Sequence, residues 1–398
     1  MKIFFALLII IFLAFSGYHL TFRSFRLPLF ARKFYLTGTE FLFLGLLLGP
    51  QFFNLLDAET CKGLEPLSAL VLGWIGLIFG FQFEIVKIRR YLLDLFLVAV
   101  FEGILTFFIV FCGIYFILPF FMDITGSMKI VVALTLSSAA TCTAQTGIAL
   151  LTSDFVAIRQ NIAKLLRYIS SIDSLVALLI FSIVFFFRPS LFAQASWLRH
   201  LGWGALISAA ACAGLLLLYL LFLSQRRDES DLTLVVIGMA VFTSGIASII
   251  NYSPLLANFF VGFCIVNLSR EKERIYNILI SIEKPVYLLM LVLLGAIWKP
   301  NSAWIFFLAA GYCLCRFLAK VTGGYLITRI SERLKHHPGT LGFGLLEQGG
   351  LPFAILFDFQ KGFPFETTLV VTSLTLWAIL FNDFLSPSFL KRLLKEEG

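Results

Sequence analysis

Ile169-Ser-Ser-Ile-Asp-Ser-Leu-Val-Ala-Leu-Leu-Ile-Phe-Ser-Ile-Val-Phe-Phe-Phe187 is long enough to cross a bilayer and carries one ionisable side chain, Asp173. A span needs roughly 20 mostly apolar residues to cross about 30 Å of hydrocarbon. A carboxylate inside such a run is costly to desolvate, and ionisable groups within membrane spans are functional candidates by default. The stretch sets the class of fold, helical and membrane-spanning, and singles out the first residue whose presence needs a chemical reason.

Composition extends that reading to the whole chain. With 60% hydrophobic, 16% aromatic and 14% charged residues, 398 residues carry far too much apolar surface for one soluble domain. The pattern predicts an all-α polytopic membrane protein. Thirteen segments qualify as spans, beginning near Ile3, Tyr35, Leu67, Tyr91, Ile130, Leu165, Leu201, Leu232, Ser253, Ile278, Ala303, Thr340 and Glu366. The second, ninth and twelfth are short or polar, which leaves twelve spans open.

Charge placement tests the count independently. Lys and Arg crowd alternate loops: Arg23, Arg26, Arg32 and Lys33, then Lys87, Arg89 and Arg90, then Arg159, Lys164 and Arg167. The alternation continues through Arg226 and Arg227, Arg270, Lys272 and Arg274, Arg329, Arg333 and Lys335, and ends at Lys391, Arg392 and Lys395. By the positive-inside rule the amino terminus lies outside and the carboxyl terminus in the cytoplasm, which requires an odd number of spans. The net charge of +8 is then mostly topological information. A nucleic-acid partner is not expected, because no basic stretch is interleaved with exposed aromatics. Met1 to Gly17 can also be read as a cleaved signal peptide; retention is favoured because the cluster after it would be awkward to translocate.

Other chemistries find little footing. The seven cysteines (Cys61, Cys112, Cys142, Cys212, Cys264, Cys313, Cys315) are odd in number and nearly all within spans, where they behave as small apolar residues. His19, His200, His336 and His337 lack ligand-type spacing, and no phosphate-binding loop or dinucleotide fingerprint occurs. Neither a cofactor nor a resident metal is expected. A membrane-embedded enzyme or sensor is a weaker alternative, since no nucleophile or catalytic pair stands out.

Two spans break the helical pattern. The fifth reads Val131-Val-Ala-Leu-Thr-Leu-Ser-Ser-Ala-Ala-Thr-Cys-Thr-Ala-Gln-Thr-Gly-Ile-Ala-Leu-Leu151, its centre a run of small hydroxyl and amide residues. The twelfth reads Gly339-Thr-Leu-Gly-Phe-Gly-Leu-Leu-Glu-Gln-Gly-Gly-Leu-Pro-Phe-Ala-Ile-Leu-Phe357, interrupted by Gly349, Gly350 and Pro352. Broken backbone at membrane depth is tolerated only where protein buries it or it lines a cavity. Seven spans separate the two, so spans one to six map onto eight to thirteen as an inverted repeat with the seventh as connector. Interrupted helices at matching positions of two inverted halves are the best sequence pointer to the site of a secondary transporter. The competing reading is that Ser, Thr and Gly merely permit close helix packing.

Three further motifs carry a family resemblance over nearly the full length. Gly38-Thr-Glu-Phe-Leu-Phe-Leu-Gly-Leu-Leu-Leu-Gly-Pro50, Ser253-Pro-Leu-Leu-Ala-Asn-Phe-Phe-Val-Gly-Phe263 and Arg316-Phe-Leu-Ala-Lys-Val-Thr-Gly-Gly324 resemble, in order and spacing, the second, ninth and eleventh spans of the cation:proton antiporters. The resemblance is closest to the Kef-type potassium efflux and sodium/proton exchanger branch. It implies exchange of sodium or potassium for protons, a homodimer, and residence in a bacterial inner membrane. It also implies a scaffold of residues 1–83 and 228–297, and a moving core of 91–187 and 303–389. The long cytoplasmic nucleotide-binding region of many Kef-type relatives is not expected here, because the sequence runs only to Gly398 after its last expected span.

Carried over position by position, the resemblance makes Asp173 the acid that alternately holds a proton and a cation. Branches with two adjacent acids place a second carboxylate beside it; here the neighbours are Ile172 and Ser174, which suggests one-for-one, electrically neutral exchange. Thr141, Cys142 and Thr143 match the broken fifth span, and with Ser174 are the expected ion ligands. Arg316 and Lys320, four residues apart and on one helical face, are the candidate charge partners; spacing does not choose between them. Glu347, Gln348 and Glu102 are further candidates, with Glu347 displaced from the family's carboxylate position by Leu351 and Pro352. The structural alternative for Asp173 is a buried acid that fixes helix packing through Ser170 or Ser174. A channel-like potassium efflux pathway would use the same polar residues without needing Asp173 to bind protons.

Overall fold

Helix lengths and the positions of the breaks follow from where buried stripes, caps and glycines fall in the chain. The computed structural model describes residues 2–21, 38–90, 93–122, 124, 126–144, 160–186, 229–300, 303–363 and 366–396. The expected seventh span near Leu201, the clusters Arg23 to Lys33 and Arg226 to Arg227, and the fifth segment beyond Ala144 lie outside the described residues. Among the described residues there is no β-strand.

The helices are α1 (Lys2–Thr21), α2 (Thr39–Leu48), α3 (Ala58–Gly63), α4 (Glu65–Phe81), α5 (Ile85–Arg90), α6 (Leu93–Ile117), α7 (Gly126–Thr141), α8 (Gln160–Phe186), α9 (Glu229–Ile249), α10 (Pro254–Leu268), α11 (Lys272–Ile297), α12 (Ala303–Ile330), α13 (Leu351–Gly362) and α14 (Glu366–Glu396). Among the described residues six stretches are long and apolar enough to cross a membrane, within α6, α8, α9, α11, α12 and α14. Shorter apolar helices occur at Lys2–Leu13, Thr39–Leu48, Glu65–Phe81, Gly126–Thr141 and Pro254–Leu268. Helix starts shift where local chemistry outweighs hydropathy. α11 begins at Lys272 rather than near Ile278, because Ile275, Ile278 and Leu279 already form its buried stripe. Ser253 caps α10 by accepting a hydrogen bond from the Leu256 amide at 2.9 Å, with Pro254 in the first turn where its missing N–H does no harm.

The chain divides into two compact units. The first comprises residues 1–88, 188–299 and 360–364. In it α4 packs on α10 and α2 on α11. Glycine permits the second contact: a Cβ on Gly45 would lie 2.1 Å from the Val292 carbonyl oxygen, and one on Gly295 2.0 Å from that of Leu42. Beyond α4, Glu84 accepts from Lys272 at 2.6 Å and pairs with Lys87 at 2.9 Å.

The second unit comprises 89–187, 300–359 and 365–398. Here α6 packs on α7, α8 and α12, while α12 also packs on α14 and on a 3-10 turn at Leu341–Leu345. Leu166, Ile169, Ile172, Ile327, Leu341, Leu345, Leu390 and Leu393 form one apolar cluster. α7 stops at Thr141, and 142–144 leave the helix. On the other side the chain runs non-helically from Leu346 to Gly350 before α13. Gly349 has φ +69, a backbone conformation that only glycine adopts without strain, and Pro352 falls in the first turn of α13.

Candidate functional site

The second unit gathers four buried ionisable groups around its two interruptions. Asp173, on α8, is 0% exposed. Its Oδ2 accepts hydrogen bonds from Thr143 Oγ1 at 2.6 Å and from Lys320 Nζ at 2.7 Å. Its Oδ1 is buried and has no hydrogen-bond partner among the described residues. Gly103 on α6 faces that oxygen, and a Cβ there would stand 3.3 Å from it.

Lys320, on α12, is likewise 0% exposed. Besides Asp173 it reaches Glu102 Oε2 at 3.2 Å and the Thr141 carbonyl at 3.1 Å. Glu102 Oε1 accepts from Thr106 Oγ1 at 3.0 Å, one turn along α6. A buried charge is stable only when paired and hydrogen-bonded, so two carboxylates around one ammonium form a mutually dependent cluster.

Arg316 does different work one turn away on α12. Its Nε donates to the Ala140 carbonyl at 2.8 Å and its Nη2 to that of Cys142 at 2.9 Å. Its Nη1 donates to the Leu346 carbonyl at 2.5 Å, and Nη2 also to that of Leu345 at 3.4 Å. One guanidinium therefore satisfies carbonyls freed at both interruptions, as buried backbone requires. The interruptions also meet directly, the Ala144 amide donating to the Glu347 carbonyl at 2.8 Å. Ser170 donates to the Thr143 carbonyl at 2.6 Å, which fixes that residue against α8.

Of the residues singled out from sequence, Asp173, Thr143, Lys320 and Glu102 share the cluster. Thr141 contributes its carbonyl, while its hydroxyl donates back to Ser137 at 2.9 Å. The Cys142 thiol donates to the Ser138 carbonyl, and Ser174 donates to the Ser170 carbonyl at 3.0 Å rather than to Asp173. Gln348 donates to the Ala139 carbonyl at 3.1 Å and accepts from Asn382 Nδ2 at 2.8 Å. Glu347 enters through its carbonyl, and the residue is buried. Thr106, Gly103 and Asn382 were not anticipated, and Ser170 was named only as a packing partner of Asp173, whereas it donates to the Thr143 carbonyl. The Glu102/Thr106 spacing of four residues is the one signal that could have pointed to the first of them.

A helical membrane protein with two interrupted segments meeting beside a buried carboxylate–ammonium cluster is, by architecture, a transporter of the secondary class. The comparisons agree. The family model described as sodium/hydrogen exchanger, transmembrane, matches residues 10–396, and the chain belongs to that family. It is a transporter rather than an enzyme. Among solved structures, the sodium proton antiporter MjNhaP1 of Methanocaldococcus jannaschii at pH 8 is similar in fold, with a TM-score of 0.69 at 19% identity over 100% of both chains. A search of curated proteins finds no match.

Proposed function

We propose that the chain exchanges a monovalent cation, sodium or potassium, for protons by alternating access, with Asp173 as the site that the two cargoes share. The observation that carries this reading is the coordination of Asp173. One carboxylate oxygen is held by Thr143 and Lys320, and the other is buried without a hydrogen-bond partner among the described residues. A proton or a dehydrated cation would bind at Oδ1, and the two would exclude each other.

Competition gives the coupling. One carboxylate oxygen takes one monovalent charge at a time, and an empty, charged Asp173 crosses the bilayer at greater cost than a loaded one. Each crossing therefore carries a passenger, and exchange is one-for-one and electrically neutral. Residues 91–187 and 303–389 would form the moving core and 1–83 with 228–297 the scaffold; the two compact units support this division. The packing pairs support an inverted repeat: exchanging α6, α7 and α8 with α12, the Leu341–Leu345 turn and α14 leaves the set of contacts in the second unit unchanged. The same exchange in the first unit relates the α2/α11 pair to the α10/α4 pair.

Proteoliposomes with a preset pH gradient test the proposal. The parent protein should dissipate the gradient when sodium or potassium is added, and Asp173→Asn should not. An equal rate from the substituted protein would remove Asp173 from the mechanism. Potassium flux that ignores the imposed pH gradient would favour the channel-like pathway.

A further inference from the structure

Two arginines of the second unit hold their guanidinium groups over aromatic rings at the start of the second interrupted segment. Arg329, near the end of α12, lies 5.3 Å from the centroid of the Tyr325 ring one turn back, and Arg392, near the end of α14, lies 5.8 Å from that of Phe343. Both fall within the range of a cation–π interaction, about 6 Å. The two rings flank one short stretch of chain. Tyr325 abuts Gly339, where a Cβ would stand 3.1 Å from its Cδ2, and Phe343 belongs to the Leu341–Leu345 turn that follows.

The surface under Arg392 is an aromatic platform built from three elements. Phe343 lies 6.3 Å from Phe317 of α12 and 5.2 Å from Phe389 of α14, and those two rings are 5.2 Å apart. All three are half-buried. Phe317 and Tyr325 are eight residues apart, about two turns along one face of α12. Leu318 beside Phe317 and Leu385 one turn before Phe389 are exposed, so the platform continues into the apolar surface of the two spans.

Charge decides which molecule fits. Arg329, Arg333 and Lys335 follow one another at the end of α12, and Lys391 and Arg392 at the end of α14. Two acids close to these clusters have partners of their own: Glu332 pairs with Lys335, and Asp94 accepts a hydrogen bond from Ser331. The positive-inside reading puts both clusters on the cytoplasmic side, where the leaflet carries anionic lipid that attracts basic residues. A soluble anion would meet the arginines and leave the rings and leucines uncovered. A phospholipid uses both, because a guanidinium fork takes phosphate oxygens in paired hydrogen bonds while an acyl chain lies along the rings.

We propose that Arg329, Arg392 and the platform of Phe317, Phe343 and Phe389 bind an anionic phospholipid of the cytoplasmic leaflet, which braces the entry of the interrupted segment. The brace acts close to the cargo site, since the turn that carries Phe343 also presents the Leu345 carbonyl to Arg316. The inference does not depend on which cargo the chain exchanges.

Thermal unfolding of the purified full chain in detergent tests it. Phosphatidylglycerol should raise the midpoint by about 5 °C or more, and phosphatidylcholine by less than half as much. Glycerol phosphate, the headgroup chemistry without acyl chains, should leave the midpoint unchanged; a shift as large as that from the lipid would assign the site to a free phosphate and overturn the lipid reading. Arg329→Gln with Arg392→Gln should lose at least half of the phosphatidylglycerol shift. The control pair Arg270→Gln with Arg274→Gln, on a basic loop of the first unit, should keep it.

Equal losses from both pairs would reduce the effect to general surface attraction and overturn the proposal. So would an undiminished shift in the first pair, an equal shift from phosphatidylcholine, or no shift in the parent. If the first pair is not recovered folded, Phe343→Leu decides: it removes the ring under Arg392 and should lose at least half of the shift, and a full shift overturns the site.

Discussion

Thr143 performs two tasks from one position: its hydroxyl donates to Asp173 and its carbonyl accepts from Ser170. Only the first is lost in Thr143→Val. A hydrogen bond to a charged group contributes about 1.5–3 kcal/mol, so under the proposed exchange this variant should raise the half-saturating cation concentration about tenfold or more. Thr143→Ser keeps the hydroxyl and should stay near the parent, as read by sodium-titrated dissipation of a pH gradient. Arg316 and Lys320 are neighbours on one helix face, yet their partners differ in kind. Arg316→Gln should therefore act on stability before affinity. It strips donors from carbonyls at both interruptions, and a loss on the order of 3 kcal/mol should appear as a lowered thermal midpoint in detergent.

At the level of elements, the contact between α12 and the Leu341–Leu345 turn is close enough to be broken by a methyl group. A Cβ on Gly342 would lie 2.2 Å from the Lys320 carbonyl oxygen, and one on Gly324 2.2 Å from the Gly342 amide nitrogen. Because both obstacles are backbone, Gly342→Ala should displace the turn bearing Lys320 and abolish exchange in whatever protein folds. Gly311→Ala on the same helix meets nothing within 4 Å; it should be neutral or stabilising by up to about 1 kcal/mol, the ordinary helix cost of glycine. The interruptions themselves were legible in the sequence, since Ser137 to Thr143 and Gly349 to Pro352 stand out against apolar surroundings. The division of labour between Arg316 and Lys320 was not. It depends on one helical turn, about 5.4 Å of rise, measured against breaks whose depth no spacing reports. Nor was the partner of Glu102, because that pairing joins residues 218 positions apart.

For the molecule as a whole, ionic links away from the apolar spans should govern acid sensitivity. Glu84 is held below the usual carboxylate range by its hydrogen bond to Lys272, with Lys87 adding to the effect. Its depressed folded value means that the stabilisation is present above the unfolded value of about 4.3 and disappears as pH falls through the folded one. Glu84→Gln should thus melt below the parent at pH 7, by about 1 kcal/mol, and the gap should close in acid below about pH 4. The alternation of basic loops makes a further global prediction, that a reporter fused to the carboxyl terminus is active only on the cytoplasmic side. Activity on the opposite side would reverse the assigned orientation. Last, the grip of Arg316 on both interrupted segments acts as a rivet. Any motion that slid one segment past the other would have to unfasten several carbonyls at once in oil. The cheaper motion carries the two together, so the cargo's cradle should travel through the cycle as a single unbroken piece.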